Sequence, residues 1–572
     1  MSTGQAGFFR YKWFVATTRT SSEKRGEVLA VLRELLDEGR ADDVVAIVTK
    51  LVAKNGELAT KNSELERRLA QVLGRGRKSE GVATAQLKLW MDRLEVEAGS
   101  DENGMDPAVA AANQRLREAS GIDKAGDADS QEAGKRKRQP PMRRPIPPSL
   151  PRVPNPIGVP PAERACPRCG AERVCIGHDI TEVIDLIPAQ VVVRCDAREK
   201  LACRSCDGEL VRAPPGDKVV AGGRLGSTLV SVLLADKYED GLPLHRQKAR
   251  FERMGLSLPV STLADQVTWA TDLLRPLWRL AVLQVLAAKV MHLDGTSLPV
   301  LDRDAAGGKR LGALWGYVGD EDVAAYLYAS TGKKVGQKPG ELGPEDVLRN
   351  RQGYVVADAS GLFDASFARD DLIECGCNMH ARRRFTAALD AGDARAALPI
   401  AAYKQLYEIE AKARDGTAAA RLTMRQAESR PVWDELCAWC ETYLPREPPS
   451  SKLGEAIRYF TNHTAALGRF LEDGAIPPDN GIVERLHVRA ALTRKNFLFA
   501  GSDAGGERAA IAFTILGCCR LAGVDPVAYL TDVLPRLARR IRVADVAALM
   551  PARWRERHQP AFTAPDPVAS AT

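Results

Sequence analysis

The sequence predicts a multi-domain α+β chain in which a mixed α/β unit is preceded by helical and cysteine-rich regions and interrupted by a helical insertion. Three observations predict it. At 572 residues the chain exceeds what one core usually organises, since domains run to roughly 150 residues each. Residues 224–287 carry helical spacing, and at 289 the period changes to apolar, β-branched and aromatic runs. Two Cys-x-x-Cys pairs precede both, at Cys166/Cys169 and Cys203/Cys206.

The first region, 1–97, reads as helical. From Val44 a heptad seam runs through Val44, Leu51, Leu58, Leu65 and Val72, with Val48, Asn55, Asn62 and Leu69 at the alternate position. This is coiled-coil spacing, and buried Asn at one seam position favours a defined register between paired chains. A homodimer or higher oligomer through this segment is expected. Residues 98–160 read as a Pro-rich basic linker ending in KRKRQPPMRRPIPPSLPRVPNP, because proline at this density cannot continue helices or central strands. Its basic run, Lys135 to Arg138 with Arg143 and Arg144, suits DNA phosphates and a solvated linker alike.

Residues 161–215 read as a zinc-binding domain. Cys166, Cys169, Cys203 and Cys206 supply four thiolates, a closed tetrahedral shell for structural Zn²⁺. The strand-like DITEVIDLIPAQVVVRC between the pairs can form a hairpin that brings them together; Cys175 and Cys195 are read as packing. Residues 216–288 hold three helices, LGSTLVSVLLADKYEDG, LHRQKARFERMG and a third with Ser261 as its expected N-cap. A DNA-reading helix-turn-helix and a plain helical packing unit share this pattern.

Residues 289–389 form the first part of the α/β core: KVMHLDGTSLPVLD as a strand pair, apolar up to Asp294 and again after Gly295, LGALWGYVGD and VAAYLYAST as further strands, then GYVVAD and LIECGCNM as strands alternating with helices. Residues 390–475 read as a helical insertion, in which Cys437 and Cys440 fill core. Residues 476–515 return to the core, and 516–572 close the chain with helices and a basic, Pro/Ala-rich tail. Asp294 is placed at the end of the first core strand, Asp358 at the end of a later one, and Glu484 at the start of a helix. Acids at one edge of an α/β sheet converge on one crevice. Three carboxylates there can hold two Mg²⁺ (or Mn²⁺) ions for in-line attack at phosphorus, and their oxygen donors suit these ions better than zinc. Asp302, Asp304, Asp364 and Glu507 are nearby competitors. Arg485, Arg489, Arg494 and Lys495 follow Glu484 and are candidates for DNA phosphates, while the NFLFAG segment after them is read as structural.

The net charge of +7 permits a nucleic-acid partner without demanding one. No apolar run reaches membrane-spanning length, so no membrane partner is expected. The first residues lack a secretory pattern, so a cytoplasmic chain is expected, with its 12 cysteines as thiols or metal ligands.

Several motifs resemble one family. DNGIVER followed by RKNFLFAGSDAGGERAA, KYEDGLPLHRQ followed by STLADQV, CGCNMHARRRF, the double Cys-x-x-Cys and the closing GVDPVAYL are similar to segments of insertion-sequence-66 family transposases, over about residues 25–545. The resemblance implies a ribonuclease-H-like catalytic fold with a DDE triad at Asp294, Asp358 and Glu484, and places His380 and Arg383 in a basic helix as DNA-binding candidates. It implies a bacterial, nucleoid-associated enzyme acting on double-stranded DNA: it would bind terminal inverted repeats, cleave at element ends and join 3′-hydroxyls to target DNA, with accessory transposition proteins as further partners. The chain departs from the family at Gly295, where an acid usually follows the first aspartate, and at ASGLFD after Asp358, which lacks the usual Gly-Tyr pair. A ribonuclease-H-like nuclease without strand joining, or a non-catalytic DNA-binding regulator, would carry many of the same features.

Overall fold

The computed structural model describes residues 82–100, 106–123 and, apart from 306, 320–322, 332–342, 350 and 540, residues 223–558; Asp37 and scattered residues between 152 and 220 are also described. The heptad seam, the basic run at 135–144, and Cys166, Cys203 and Cys206 lie outside the described residues.

Five strands form a mixed sheet: β1 (Val290–Leu301), β2 (Lys309–Gly319), β3 (Val323–Ala329), β4 (Gly353–Ala357) and β5 (Leu372–Gly376), in the order β3-β2-β1-β4-β5. The first three are antiparallel, whereas β4 and β5 join parallel to β1. Alternation along β1 assigns its two faces. Met291 and Leu293 enter one core with Trp315, Tyr317 and Phe363, while Leu298 and Val300 enter another on the opposite face.

That second face is covered by helices from both ends of the unit: α3 (Ser227–Tyr238), α4 (Leu244–Arg253) and α5 (Val260–Ala287) before the strands, and α10 (Gly481–Phe497), α11 (Asp503–Leu521) and α12 (Pro526–Ala538) after them. Val230, Leu233, Leu234 and Leu263 share one buried cluster with Tyr326 of β3, Phe513 of α11 and Leu530 of α12. The three early helices are therefore part of the sheet's own packing. The expected cap at Ser261 is a correction: α5 starts at Val260 with Pro259 at the cap position, the fixed φ of proline serving as the entry.

After β5 come α6 (Asn378–Asp390) and the insertion helices α7 (Ala397–Lys412), α8 (Arg430–Tyr443) and α9 (Lys452–Asn462). Phe385, Tyr403, Trp433, Trp439 and Phe460 fill their core, and Cys440 is buried there too. The same core takes α1 (Thr84–Ser100) and α2 (Pro107–Ala119). Helix α2 corrects the linker reading of 98–160. Asp106 caps it through Ala108 N–H, Pro107 opens it, and Val109, Ala112 and Leu116 form its buried stripe. Asn113 of α2 accepts hydrogen bonds from Trp439 Nε1 at 2.8 Å and Tyr443 OH at 2.9 Å. In the cysteine-rich segment Lys200–Leu201 pairs antiparallel with Val211–Arg212. Cys175 and Cys195 are exposed, not packed as expected, since the described residues around them build no core.

Candidate functional site

The chemistry gathers where α10 meets the edge of the sheet between β1 and β4. Asp294 does not end β1; it lies within the strand, opposite Gly316, and pairing continues to Leu301. Gly295 allows this. It faces Trp315 across the ladder, and a Cβ there would meet the indole ring at 2.6 Å. The space beside Gly295 is thus filled by Trp315.

Asp358 is the first residue beyond β4. The parallel ladder runs Val290↔Tyr354, Met291↔Val355 and His292↔Val356. Continued two residues, the same register sets Asp358 beside Asp294 on one face, with strands about 4.8 Å apart. This face is the one that α10 covers.

Helix α10 is docked by the DN of DNGIVER. Asp479 Oδ1 accepts the Gly481 N–H at 2.8 Å. Asn480 sits at the cap position, yet its side chain makes no cap bond. It ties the helix to β1 instead: Nδ2 donates to Leu293 O at 2.8 Å and Oδ1 takes His292 Nδ1–H at 3.0 Å. Its backbone N–H donates to Cys377 Sγ at 3.2 Å. Burial drives the His292 imidazole down to about 4, so it stays neutral and donates from Nδ1. Burial likewise pushes the Cys377 thiol up to about 12, so the sulfur acts as a neutral acceptor.

One turn after Glu484, His487 returns to the first aspartate. Its Nε2 lies 3.2 Å from Asp294 O and 3.6 Å from Asp294 Oδ2. Its Nδ1 lies 3.3 Å from the Tyr326 hydroxyl. Burial raises the phenol above its ordinary range, so Tyr326 remains a donor and Nε2 carries the imidazole proton. A Cβ at Gly316 would meet His487 Cε1 at 2.8 Å, so that glycine makes room for the ring.

Glu484 occupies the first turn of α10 with both oxygens held by Arg383 of α6, at 2.8 and 3.2 Å. His380 Nε2 stands 3.6 Å from Oε1. Arg383 and His380, read as DNA contacts, therefore bear on the third carboxylate in this arrangement. Ligand atoms of Cys377, His380 and Glu484 lie within 4.8 Å of one another. In this mixed set the sulfur already takes Asn480 N–H and the carboxylate is held by Arg383, whereas His380 Nδ1 is buried with no hydrogen-bond partner. Asp294, Asp358 and Glu484 offer oxygen donors only, the kind that a hard divalent ion takes.

The four cations after Glu484 divide. Arg485 and Lys495 are exposed. Arg489 pairs with Glu239, the C-cap of α3, at 3.1 Å. Arg494 is turned inward, one terminal nitrogen donating to Ser297 Oγ at 2.9 Å and to Ser297 O of β1. NFLFAG is structural only in part: Ala500 pairs with β1, whereas Leu498 and Phe499 are exposed. Asn480, His487 and Cys377 were missed by the sequence reading. DN before a helix and Cys-x-x-His at 377–380 were visible, but ordinary capping and packing explain such patterns equally well.

The sequence profile of the Transposase IS66 family matches residues 222–508, a span that holds all three acids. The chain belongs to the IS66 transposase family. The profile of the zinc-finger binding domain of transposase IS66 matches residues 163–207, which include all four expected zinc cysteines, and the IS66 C-terminal element matches 514–552. The chain is 33% identical to the uncharacterized protein y4hP of Sinorhizobium fredii over 508 residues, 84% of this chain and 86% of the relative. It is 32% identical to y4qI of the same organism, also uncharacterized, over 67% of this chain and 72% of the relative. An IS66 family transposase domain implies use of a divalent metal, and the zinc-finger domain suggests zinc. No helix among the described residues is long and apolar enough to cross a membrane.

Proposed function

We propose that the chain is a DNA transposase that binds its element's terminal inverted repeats, cleaves at the ends and joins the freed 3′-hydroxyls to target DNA. The observation that carries this reading is the register of Asp358 beside Asp294 with α10, bearing Glu484, docked on the same strand through Asn480 and His487. The strand order, three antiparallel strands followed by two parallel ones, supports a ribonuclease-H-like core.

Asp294, Asp358 and Glu484 are the residues that would hold two Mg²⁺ or Mn²⁺ ions. When bound, such ions activate the attacking oxygen and neutralise the leaving one. The protein's share is positioning. His487 holds Asp294 through its carbonyl and carboxylate, and Asn480 fixes the level of the helix that carries Glu484. Arg383 neutralises Glu484 and must yield at least one oxygen for an ion to be engaged. Arg485, next to Glu484, and Lys495, in the last turn of α10, are exposed and available for phosphates. Both cleavage and joining are displacements at phosphorus, so one site serves both.

We further infer that Cys166, Cys169, Cys203 and Cys206 hold structural Zn²⁺, and that the seam of 44–72 pairs protomers across two DNA ends. Cleavage and joining of labelled element-end DNA test the function. Asp358→Ala should abolish both while leaving end binding in a gel-shift assay unchanged. Wild-type protein that binds these ends but never cuts them with Mg²⁺ would favour the regulator reading, and cutting without joining would favour a nuclease.

A further inference from the structure

The outer face of α10 carries apolar side chains that neither the packing nor the carboxylate site uses, set among the cations already offered to phosphates. Arg485, Val488, Leu492 and Lys495 are spaced three, four and three residues apart and so form one stripe, about 15 Å long at 1.5 Å per residue. All four are exposed, Val488 at 51% and Leu492 at 41%. The stripe runs on into Leu498 and Phe499, exposed at 64% and 40%. Arg485 and Lys495 pair with no acid among the described residues.

The knuckle at the end of the stripe is built rather than loose. Leu498 is the one positive-φ residue other than glycine among those described, at φ 67°. With ψ −37° it is the centre of a γ-turn closed by Phe499 N–H on Phe497 O at 2.8 Å, a backbone that persists only where its surroundings impose it. Here Leu498 N–H bonds Arg494 O at 3.0 Å on the helix side. On the other side Ala500 bonds Pro299 O at 2.8 Å and takes the Leu301 N–H at 2.9 Å, locking the chain to β1. Two large apolar side chains are thereby fixed in solvent on the helix that begins at Glu484.

We propose that this stripe is a track for a DNA strand with unpaired bases, with Arg485 and Lys495 on phosphates and Leu498 and Phe499 packed against the face of an unstacked base. Arg485 heads the apolar row and Lys495 interrupts it. A protein partner that buried the row would have to bury them as well. A polyanion that alternates phosphates with flat apolar faces matches both features. The proposal rests on the DNA-processing reading above.

The test compares binding of a fluorescein-labelled blunt duplex with that of the same duplex bearing a short unpaired overhang. Wild-type protein is expected to prefer the overhang. Phe499→Ala should lose that preference by roughly tenfold, the scale of one base–aromatic stack, while blunt binding stays within about twofold. Leu498→Gly removes the side chain and relieves the strained backbone, so its folding is secure, and it should act in the same direction. Arg485→Ala and Lys495→Ala should weaken both probes together and lower the salt dependence. Equal wild-type binding to both probes overturns the track, and binding to neither overturns the DNA reading itself. Preference unchanged in Phe499→Ala and Leu498→Gly also overturns the track. Dissociation of an oligomer in sedimentation velocity on either substitution would assign the face to a second copy of the chain instead.

Discussion

Glycines and one asparagine set the site at the residue scale. Gly295 and Gly316 leave room for Trp315 and His487, so each neighbour of Asp294 on the ladder is shaped by an absent side chain. Gly295→Asp, which would restore the family's usual acid, should therefore destabilise the protein by about 1–3 kcal/mol through overpacking against the indole, read as a lower midpoint in urea unfolding. The same change combined with Trp315→Ala should cost less than the sum of the two single losses. Simple additivity would show that the two positions do not compete for space. The identities of Asp294, Asp358 and Glu484 as candidates were legible in the sequence, because charged residues interrupt otherwise apolar runs. His487 was not, since a histidine one turn after an acid on a helix has many bland explanations. The inward turn of Arg494 was equally hidden, because periodicity does not say which long side chain finds a carbonyl.

Elements deliver these residues, and the insertion is the one that does most of the delivering. Within it Arg425 is 1% exposed and sits at the start of a π-helical turn, Arg425–Ser429. It pairs with Glu410 at 2.6 and 2.8 Å, and one terminal nitrogen donates to Phe470 O, Asp473 O and Ile476 O. That clamp holds the segment leading into Asp479 and α10. Arg425→Ala leaves Glu410 and three carbonyls without their donor, and should cost about 3–5 kcal/mol in chemical denaturation. A loss below about 1 kcal/mol would mean that the return segment is held elsewhere. Strands and helices of the core were legible from period alone, as in VAAYLYAST and HARRRFTAALDAG. Helix α2 was overlooked beside a proline-rich run, although Asp106-Pro107 before an alanine-rich stripe is a capped helix start. The length of β1 was misjudged because an aspartate followed by glycine reads as a turn when no partner strand is in view.

At the scale of the whole molecule, the two sides of the sheet and the insertion meet at His292, which touches the return segment through Asn480. Its imidazole ionises below 6.5 when unfolded but only near about 4 when folded. The unfolded chain therefore takes up the proton first as pH falls. Above 6.5 the group contributes nothing to the pH dependence; from 6.5 down to about 4 stability declines by up to roughly 3 kcal/mol, and below that the contribution is flat. Urea midpoints across this range should fall less steeply for His292→Gln, and identical slopes would remove the group from the account. Tertiary docking of this kind has no signature in local sequence, which is why the division into domains was the least legible feature. The sharing of one core by α2 and α8 carries a further consequence, for synthesis. Asn113 waits for Trp439, 326 residues later in the chain. At about 5–20 residues per second the ribosome needs tens of seconds to close that gap. Throughout that interval the apolar stripe of Val109, Ala112 and Leu116 is without its final cover, which makes the nascent N-terminal half a natural client for a chaperone.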